Sequence, residues 1–204
     1  MSQVDEVFLF LEPSANPTED RYLQHLSESE TLLVWVPDGA AAAEVAAEQV
    51  ALGVQLFELY RGFDFESAAV VIEAVDGKAA VGVAGFSPGT ATPARPPRKS
   101  ATLLVGHPTA DPDVHRSERT HAGGGSTTLV SVPDAAGAVK VARDLVDKGV
   151  ELIEVCGGAS LLAARDVRAA VGDRVPVSLV SWPFDSIERA AAFRAEFEES
   201  HPAH

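Results

Sequence analysis

The stretch TLLVWVPDGAAAAEVAAEQVALGVQLFELYRG, residues 31–62, decides the fold because the chain contains it twice. Residues 127–158 read TTLVSVPDAAGAVKVARDLVDKGVELIEVCGG, and 16 of the 32 positions are identical at a constant offset of 96 without a gap. Similarity at one fixed offset over this length indicates an internal repeat. A further match, PSANP at 13–17 and PTADP at 108–112, has an offset of 95. The sequence therefore predicts a duplicated structural unit.

Each copy has the same order of predicted elements. It begins with an apolar strand, VFLFLE at 7–12 or ATLLVG at 101–106, followed by a Pro-containing loop and a weak helix near 17–26 or 111–121. A second strand, a helix with an Asp cap and a terminal Gly, a third strand, a second helix and a fourth strand follow. Strands that alternate with helices favour parallel β-α-β units.

The predicted fold class is α/β, with two tandem β-α-β-α-β-α-β repeats of mainly parallel strands that form a pseudo-dimer. Residues 1–86 are the first repeat, 87–100 a Pro-rich linker, and 101–204 the second repeat with a C-terminal helix. Four prolines exclude a regular helix in the linker. A crossover helix is therefore missing between the repeats, which weighs against the alternative, an eight-stranded α/β barrel built from two half-barrels.

The composition restricts the partners. The formal charge of -14 over 204 residues disfavours nucleic acid and anionic membrane surfaces. The longest early apolar run, VFLFL, is too short to span a membrane. A single cysteine fits a reducing compartment, so we expect a cytoplasmic protein. The expected partner is a small-molecule ligand, and association into a homo-oligomer stays open.

The third strand of the second copy, within VELIEVCGG at 150–158, carries two residues with chemical potential. Alternation places Glu154 and Cys156 on one face of that strand. Glu154 is either a structural hydrogen-bond anchor or a general acid or base with a pKa raised by burial, and the first copy keeps it as Glu58. Cys156 is either a nucleophile activated by its surroundings or a small buried hydrophobe.

The turn after this strand predicts a place for an anion. Gly157 and Gly158 lead into a helix, where free backbone N–H groups can hold a negative charge. The first copy has Arg61 in place of the first glycine, and its guanidinium supplies a positive charge instead. A glycine pair in this position is also consistent with a tight turn alone.

More polar residues follow the first strand of the second copy. His107 ends the strand, and His115, Arg116 and His121 lie in the loop that the pattern predicts next. Ligands of open α/β sheets bind beyond the carboxyl ends of the strands, so we expect His115 as an acid or base, with His107 and Arg116 as ligand contacts. The histidines lack a recognised ligand spacing, and no metal site is predicted.

Three segments of the second copy carry a family resemblance. GVELIEVCGG, VPVSLV, and the pairs Asp111-Pro112 and His115-Arg116 are similar to a bacterial family of small uncharacterised proteins, each about one unit long. The resemblance covers nearly the whole second copy and, more faintly, the first. It implies the fold and the boundaries of each unit, and no established activity.

Each copy departs from the pattern that the resemblance implies. That pattern has a Glu at the end of the first strand, a His-Arg pair, and Cys-Gly-Gly at the end of the third strand. The second copy has His107 where the Glu is expected, whereas the first keeps Glu12 but has Asp20 in place of the His and Tyr60-Arg61 in place of Cys-Gly. We therefore expect one working pocket, in or bordering the second copy, with the first copy acting as support or as a lid that donates Arg61 or Glu12.

Two functions remain open on the sequence. The first is a cofactor-independent enzyme acting on a small anionic or carbonyl-bearing metabolite by isomerase- or lyase-type acid–base chemistry. The chain lacks the glycine fingerprint of dinucleotide-binding folds and the phosphate-binding loop, so no cofactor is predicted. The second is a small-ligand-binding or scaffold protein without turnover. Convergence of Glu154, His115 and Cys156 on one pocket would favour the enzyme.

Overall fold

The computed structural model describes residues 4–26, 29–86, 95–106 and 108–200. It divides into two compact units, one comprising residues 1–83 and 181–204 and the other residues 84–180. Both are α/β units with mainly parallel strands, which confirms the predicted fold class. The sequence-based boundaries at 86 and 101 stay a prediction.

The first unit contains a five-stranded sheet in the order β2-β3-β1-β4-β5. Its elements are β1 (Glu6–Leu11), β2 (Arg21–Leu26), β3 (Ser29–Val36), α1 (Gly39–Ala51), β4 (Leu56–Tyr60), α2 (Phe65–Val75) and β5 (Ala80–Phe86). Strand β2 is antiparallel to β3, and the remaining pairings within this sheet are parallel.

The second unit repeats this topology, with strand order β7-β8-β6-β9-β10. Its elements are β6 (Lys99–Val105), β7 (Arg116–Thr120), β8 (Ser126–Val132), α3 (Ala135–Asp147), β9 (Leu152–Cys156), α4 (Leu161–Val171), a short 3-10 turn (Gly172–Arg174) and β10 (Val177–Ser181). Strand β7 is antiparallel to β8, just as β2 is to β3.

The helices predicted near 17–26 and 111–121 are wrong, because the chain forms the edge strands β2 and β7 there. Exposed and half-buried residues alternate along β7, as expected for a strand with one covered face. A segment of five or six polar residues gives too weak a periodicity to separate an edge strand from a short helix. Each repeat therefore runs β-β-β-α-β-α-β.

The strand order within each unit is not that of an eight-stranded barrel. Strand β1 lies between β3 and β4, and β6 lies between β8 and β9. A barrel of successive β-α units would instead place strands side by side in chain order. In the observed order the first strand is central in each unit.

In each unit, two helices pack against one side of the sheet, which we call the helix face. In the first unit this face contributes Val7, Leu9, Val34 and Phe57 to a core shared with α1 and α2. Helices α1 and α3 begin at equivalent aspartates, Asp38 and Asp134, whose carboxylates accept hydrogen bonds from backbone N–H groups three residues on. The other side of each sheet, also buried, is called the opposite face.

Helix α5 (Ile187–Ser200) groups with the first unit in space. The Oγ of Ser186, just before the helix, accepts a hydrogen bond of 3.1 Å from the Val81 N–H. The Arg189 guanidinium donates to the Lys78 carbonyl at 3.2 Å. Chain order alone assigned this helix to the second repeat, whereas these contacts attach it to the first unit.

Candidate functional site

Glu154 lies in the middle of β9 on the opposite face of the second unit and is fully buried. In register it pairs with Ser178 on β10 and with Thr102 on β6. Thr102 pairs in turn with Leu129 on β8, and Leu129 with Ser117 on β7. These five residues, one from each strand, form a single line across the sheet that we call the polar row.

Cys156 belongs to the next line of residues towards the carboxyl ends of the strands. It pairs with Leu104, which pairs with Ser131. Cys156 is 2% exposed and Ser131 is fully buried. Glu154 and Cys156 thus share one face and adjacent lines, as the strand alternation predicts.

Several hydroxyls around Glu154 have no hydrogen-bond partner among the described residues. They are the buried Oγ atoms of Ser117, Ser131 and Ser178 and the Oγ1 of Thr102. Leaving a buried hydroxyl unsatisfied costs about 1–3 kcal/mol. By contrast, Ser100 and Thr127, on the same face, bond each other at 3.0 Å. Such a cluster around one carboxylate is unusual in a folded core, which makes this face the candidate site.

The first unit has aromatic rings at three of the four equivalent hydroxyl positions, whereas the counterpart of Ser178 is Gly82. By strand register, Phe8 corresponds to Thr102 and Tyr22 to Ser117. In the next line, three further rings stand where the second unit has smaller side chains, namely Tyr60, Phe10 and Trp35 in place of Cys156, Leu104 and Ser131.

These rings form a continuous stack. The Phe10 ring lies 4.8 Å from the Trp35 ring and 5.1 Å from the Tyr60 ring, both in stacked geometry. The Tyr60 hydroxyl donates a hydrogen bond to the Glu58 carboxylate. The retained Glu therefore has an aromatic neighbour as a donor in the first unit, and small hydroxyl-bearing neighbours in the second.

The carboxyl ends of the strands also differ between the units. In the first, the buried Arg61 guanidinium bonds the Glu12 carboxylate at 3.0 Å and the Leu11 carbonyl at 2.9 Å. Arg61 has φ +71, and its counterpart Gly157 has φ +72. Arginine therefore accepts a left-handed conformation that favours glycine in order to make this pair. Arg61 and Glu12 are partners of each other inside the first unit.

The second unit lacks both charged groups of this pair. The Glu12 N–H bonds the Val36 carbonyl, and the Gly106 N–H bonds the Val132 carbonyl, so Gly106 occupies the backbone position of Glu12. The expectation that His107 takes that position is corrected accordingly. His107 is the additional residue that changes the offset between the copies, and it lies outside the described residues.

The glycine turn after β9 is exposed. Gly157 and Gly158 have φ values of +72 and +83, which only glycine adopts without strain. A Cβ on Gly157 would lie 3.0 Å from the Val105 nitrogen, so β6 approaches this turn closely. Ser160 then caps α4 by accepting from the Ala163 N–H. Cys156 lies immediately beneath this bare stretch of backbone.

His115 closes its own loop. Its Nδ1 accepts a hydrogen bond of 2.9 Å from the Asp111 N–H. The first copy makes the same contact with a carboxylate, since Asp20 accepts from the Asn16 N–H at 2.8 Å. Because an imidazole and a carboxylate make the same contact in the two copies, the contact indicates a structural role in the loop. Since Nδ1 is the acceptor, neutral His115 carries its proton on Nε2.

Arg116 lies on the helix face, because it pairs in register with Val130 of that core. Its guanidinium is 3.7 Å from the Asp144 carboxylate on α3. A hydrogen bond from Lys148, with smaller charge interactions from Lys148 and Arg116, lowers the pKa of Asp144 despite some desolvation. Arg116 and Glu154 thus lie on opposite sides of the sheet and do not form one site.

The histidines of the predicted loop do not converge. Strand β7 separates His115 from His121, and the two ends of a five-residue strand are roughly 15 Å apart. His121 is buried in the turn to β8, where its N–H bonds the Gly125 carbonyl. No group of three or more His, Cys, Asp or Glu side chains arranged for a metal ion occurs in the described part of the chain.

The sequence predicted Glu154 and Cys156 as site residues and did not single out the hydroxyls of Thr102, Ser117 and Ser178. A comparison of the two repeats could have revealed these hydroxyls. At paired strand positions the two copies exchange aromatic for small polar residues, as in Phe8 against Thr102 and Tyr22 against Ser117. Recognising this exchange requires the strand register, because the offset between the copies changes along the chain.

The comparisons with known proteins identify the class of chain. Residues 4–95 and 99–195 each match the family of unknown function DUF6506. The chain therefore belongs to this family and carries its domain twice, which confirms the predicted tandem duplication of an uncharacterised family.

Other similarities are distant. No curated protein matches the sequence. An NtrC family transcriptional regulator from Clostridium acetobutylicum aligns over 98% of this chain and 99% of its own, with 9% identity and a TM-score of 0.30. A CobK precorrin-6A reductase aligns over 95% and 97%, with 11% identity and a TM-score of 0.27. Neither similarity is high enough to bear on fold or function.

Among the described residues, no helix combines the length and apolar character needed to cross a membrane.

Proposed function

We propose that the second unit is a cofactor-independent enzyme that performs isomerase- or lyase-type acid–base chemistry on a small carbonyl-bearing metabolite. The observation that carries the proposal is the polar row. Glu154 is buried between Ser178 and Thr102, whose hydroxyls have no partner in the described chain. The first unit keeps the carboxylate as Glu58 but surrounds it with aromatic rings.

Glu154 is the proposed general acid and base. Its carboxylate takes a proton from the carbon beside the substrate carbonyl, and the C–H bonding pair moves towards the carbonyl oxygen. The hydroxyl of Thr102 or that of Ser178, one strand away on either side, donates a hydrogen bond to the negative charge that develops on that oxygen. Return of the proton to a different carbon completes an isomerisation, whereas departure of a β-substituent completes an elimination.

Cys156 is the second proposed reactive residue, next to Glu154. It lies two residues beyond Glu154 on the same strand and face, next to the carboxyl end of the sheet. We assign it as an accessory acid or as a nucleophile. The backbone of Gly106, Gly157 and Gly158 is exposed beside it, whereas Cys156 itself is buried.

The partners and the location follow the same reasoning. The proposed partner is the small-molecule substrate, and the single cysteine favours a reducing cytoplasm. Arg116 has no part in the proposed site, because it pairs with Asp144 on the helix face. The amides of Gly157 and Gly158 remain the proposed contacts for a polar end of the substrate.

A non-catalytic small-ligand-binding protein is the second candidate. It is favoured by Glu58, where the same carboxylate accepts from Tyr60 within an aromatic core. A Glu at this strand position therefore has a structural use that needs no reaction. Under this alternative the polar row holds a ligand, and Glu154 accepts a hydrogen bond from it without transferring a proton.

A matched pair of variants separates the two functions. A metabolite library is screened by thermal shift, since a ligand that binds the folded state raises its stability, and the hits are assayed for turnover. Glu154→Gln is expected to lower turnover about 100-fold with little change in melting temperature, whereas Glu58→Gln leaves turnover within a few-fold. Binding hits without turnover would assign the protein to the second candidate, whereas full activity in Glu154→Gln would remove Glu154 from the mechanism.

A further inference from the structure

The chemistry of the polar row bears on the class of substrate. Four hydroxyls, from Ser178, Thr102, Ser131 and Ser117, lie on one face and on four different strands. Three of these residues are at most 1% exposed, and none of the four oxygens has a partner among the described residues. Each hydroxyl can donate one hydrogen bond and accept others. A ligand satisfies these hydroxyls best with groups that both donate and accept hydrogen bonds. A hydroxyl is the simplest such group.

The charges around the row oppose an anionic substrate. Glu154 is its only ionisable member, and an anion about 5 Å from its ionised carboxylate would be repelled. On the described strands of this face, the single cation is Arg119, which pairs with Thr127, two residues from the row on β8. Arg116 and Lys148 are both engaged by Asp144.

The spacing of the hydroxyls indicates the size of the substrate. Neighbouring strands are about 4.8 Å apart, so Ser178 and Thr102 lie roughly 10 Å apart with Glu154 between them. Ser131 is diagonal to Thr102 on the adjacent strand, one line closer to the carboxyl edge. Hydroxyls distributed over this distance match a molecule with several polar groups along a short carbon chain.

Resting on the proposed function, we infer that the substrate is an uncharged polyhydroxylated carbonyl compound of the size of a small sugar, and that the hydroxyls of Thr102, Ser131 and Ser178 recognise it. A phosphate or carboxylate group only accepts hydrogen bonds and requires a cation or several strong donors. The polar row supplies hydroxyls and one carboxylate instead.

Paired probes test the inference. D-erythrose, D-ribose and D-fructose are titrated into the full-length protein beside erythrose 4-phosphate, ribose 5-phosphate and fructose 6-phosphate, with binding followed by saturation-transfer NMR and calorimetry. We expect at least one neutral sugar to bind, and its phosphate ester to bind about 10-fold more weakly or not at all. Thr102→Val and Ser178→Ala should each weaken sugar binding about 10-fold.

Thr127→Val is the matched control. It removes a hydroxyl of the same face that is already bonded to Ser100, so it should change sugar binding less than about two-fold. Circular dichroism confirms that each variant is folded. Tighter binding of the phosphate esters, equal effects of Thr102→Val and Thr127→Val, or no binding of any neutral sugar at 10 mM would each overturn the inference.

Failure of the inference and failure of the proposed function are distinguishable. If a phosphorylated compound binds and Glu154→Gln abolishes its turnover, the acid–base function stands and the substrate class is wrong. If a neutral sugar binds through Thr102 and Ser178 but is not turned over, the substrate class stands as a ligand class and the enzyme proposal is wrong.

Discussion

The two copies of the repeat have nearly the same backbone and use it differently. Both have a central first strand, an Asp-capped helix, a mid-strand Glu and a left-handed turn at the end of the third strand, with φ +71 at Arg61 and +72 at Gly157. On the opposite face, the first copy packs aromatic rings where the second has small and hydroxyl-bearing side chains. Helix packing tolerates this divergence because it depends on the other face of each sheet.

This contrast teaches how a duplicated fold can divide its tasks. Large stacked rings supply apolar contact area and a rigid core, which favours stability. Small polar side chains leave hydrogen-bonding capacity unused, which costs stability and provides recognition. We therefore expect substitutions in the first copy to act mainly on unfolding, and substitutions on the polar row to act mainly on binding.

The largest expected effect on stability is at the strand ends of the first copy. Arg61→Ala should lower the free energy of unfolding by about 3 kcal/mol, because it leaves the buried Glu12 carboxylate without its cation. Arginine and alanine share the same left-handed strain, so the loss reports the ion pair together with the hydrogen bond to the Leu11 carbonyl. Urea denaturation measures it.

The matched variant at the strand ends of the second copy is Gly157→Ala. It introduces only the left-handed strain and a tight contact with β6, and should cost about 1–2 kcal/mol. An Arg61→Ala variant with an unchanged free energy of unfolding would show that the Arg61–Glu12 pair does not stabilise the first copy.

A smaller effect is expected from two isosteric changes on the opposite face of the second copy. Thr127→Val breaks the hydrogen bond to Ser100 and should cost about 1 kcal/mol. Thr102→Val removes a hydroxyl that has no partner in the described chain, and should leave the free energy of unfolding unchanged or raise it slightly. Urea denaturation without ligand compares them. Equal destabilisation would mean that Thr102 is satisfied within the folded protein.

Replacing His115 with the equivalent residue of the first copy tests its structural role in the loop. His115→Asp imports the acceptor that Asp20 provides in the first copy and should stay within about 0.5 kcal/mol of the unaltered protein. His115→Ala loses the hydrogen bond from Asp111 and should cost about 1 kcal/mol. Thermal unfolding follows both. A stable His115→Asp variant that has lost turnover would instead make His115 part of the catalytic site.

The smallest effect is expected at Arg116. Its contact with Asp144 is partly exposed, so Arg116→Ala should change the free energy of unfolding by at most about 0.5 kcal/mol. The lowered pKa of Asp144 means that this stabilisation is present above the unfolded value near 3.9 and is lost as the pH falls through the folded value.

An NMR titration of Asp144 checks the cause of that shift. Lys148→Ala should raise its pKa more than Arg116→Ala does, because the hydrogen bond from Lys148 makes the largest contribution. The reverse order would make Arg116 the main partner.

The repeat made much of this fold predictable. The offset of 96 located the parallel strands and the capped helices, and alternation in β9 placed Glu154 and Cys156 on one face. The edge strand β7 was not predictable, because its five residues form no apolar pattern and only the hydrogen bonds to β8 define it. Because the sequence does not reveal this strand, the prediction wrongly assigned His115 and His121 to one loop.

The site was less predictable than the fold because it depends on which face each residue occupies. The order of elements in the sequence suggests that Arg116 lies near Glu154 at the strand ends. The antiparallel register with Val130 instead places Arg116 on the helix face. Thr102 and Ser178 look like ordinary strand residues until the register aligns them beside Glu154. Sequence spacing determines such neighbours only within one element, not between strands whose connections differ in length.

Binding stoichiometry tests the central claim most directly, namely that the second copy alone carries the site. Calorimetry with the tightest-binding compound from the screen should give one ligand per chain. Cys156→Tyr, which imports the residue of the first copy, should abolish binding while circular dichroism shows a folded protein. Tyr60→Phe should retain it. Two equivalent ligands per chain, or binding that is lost in Tyr60→Phe and kept in Cys156→Tyr, would contradict the account.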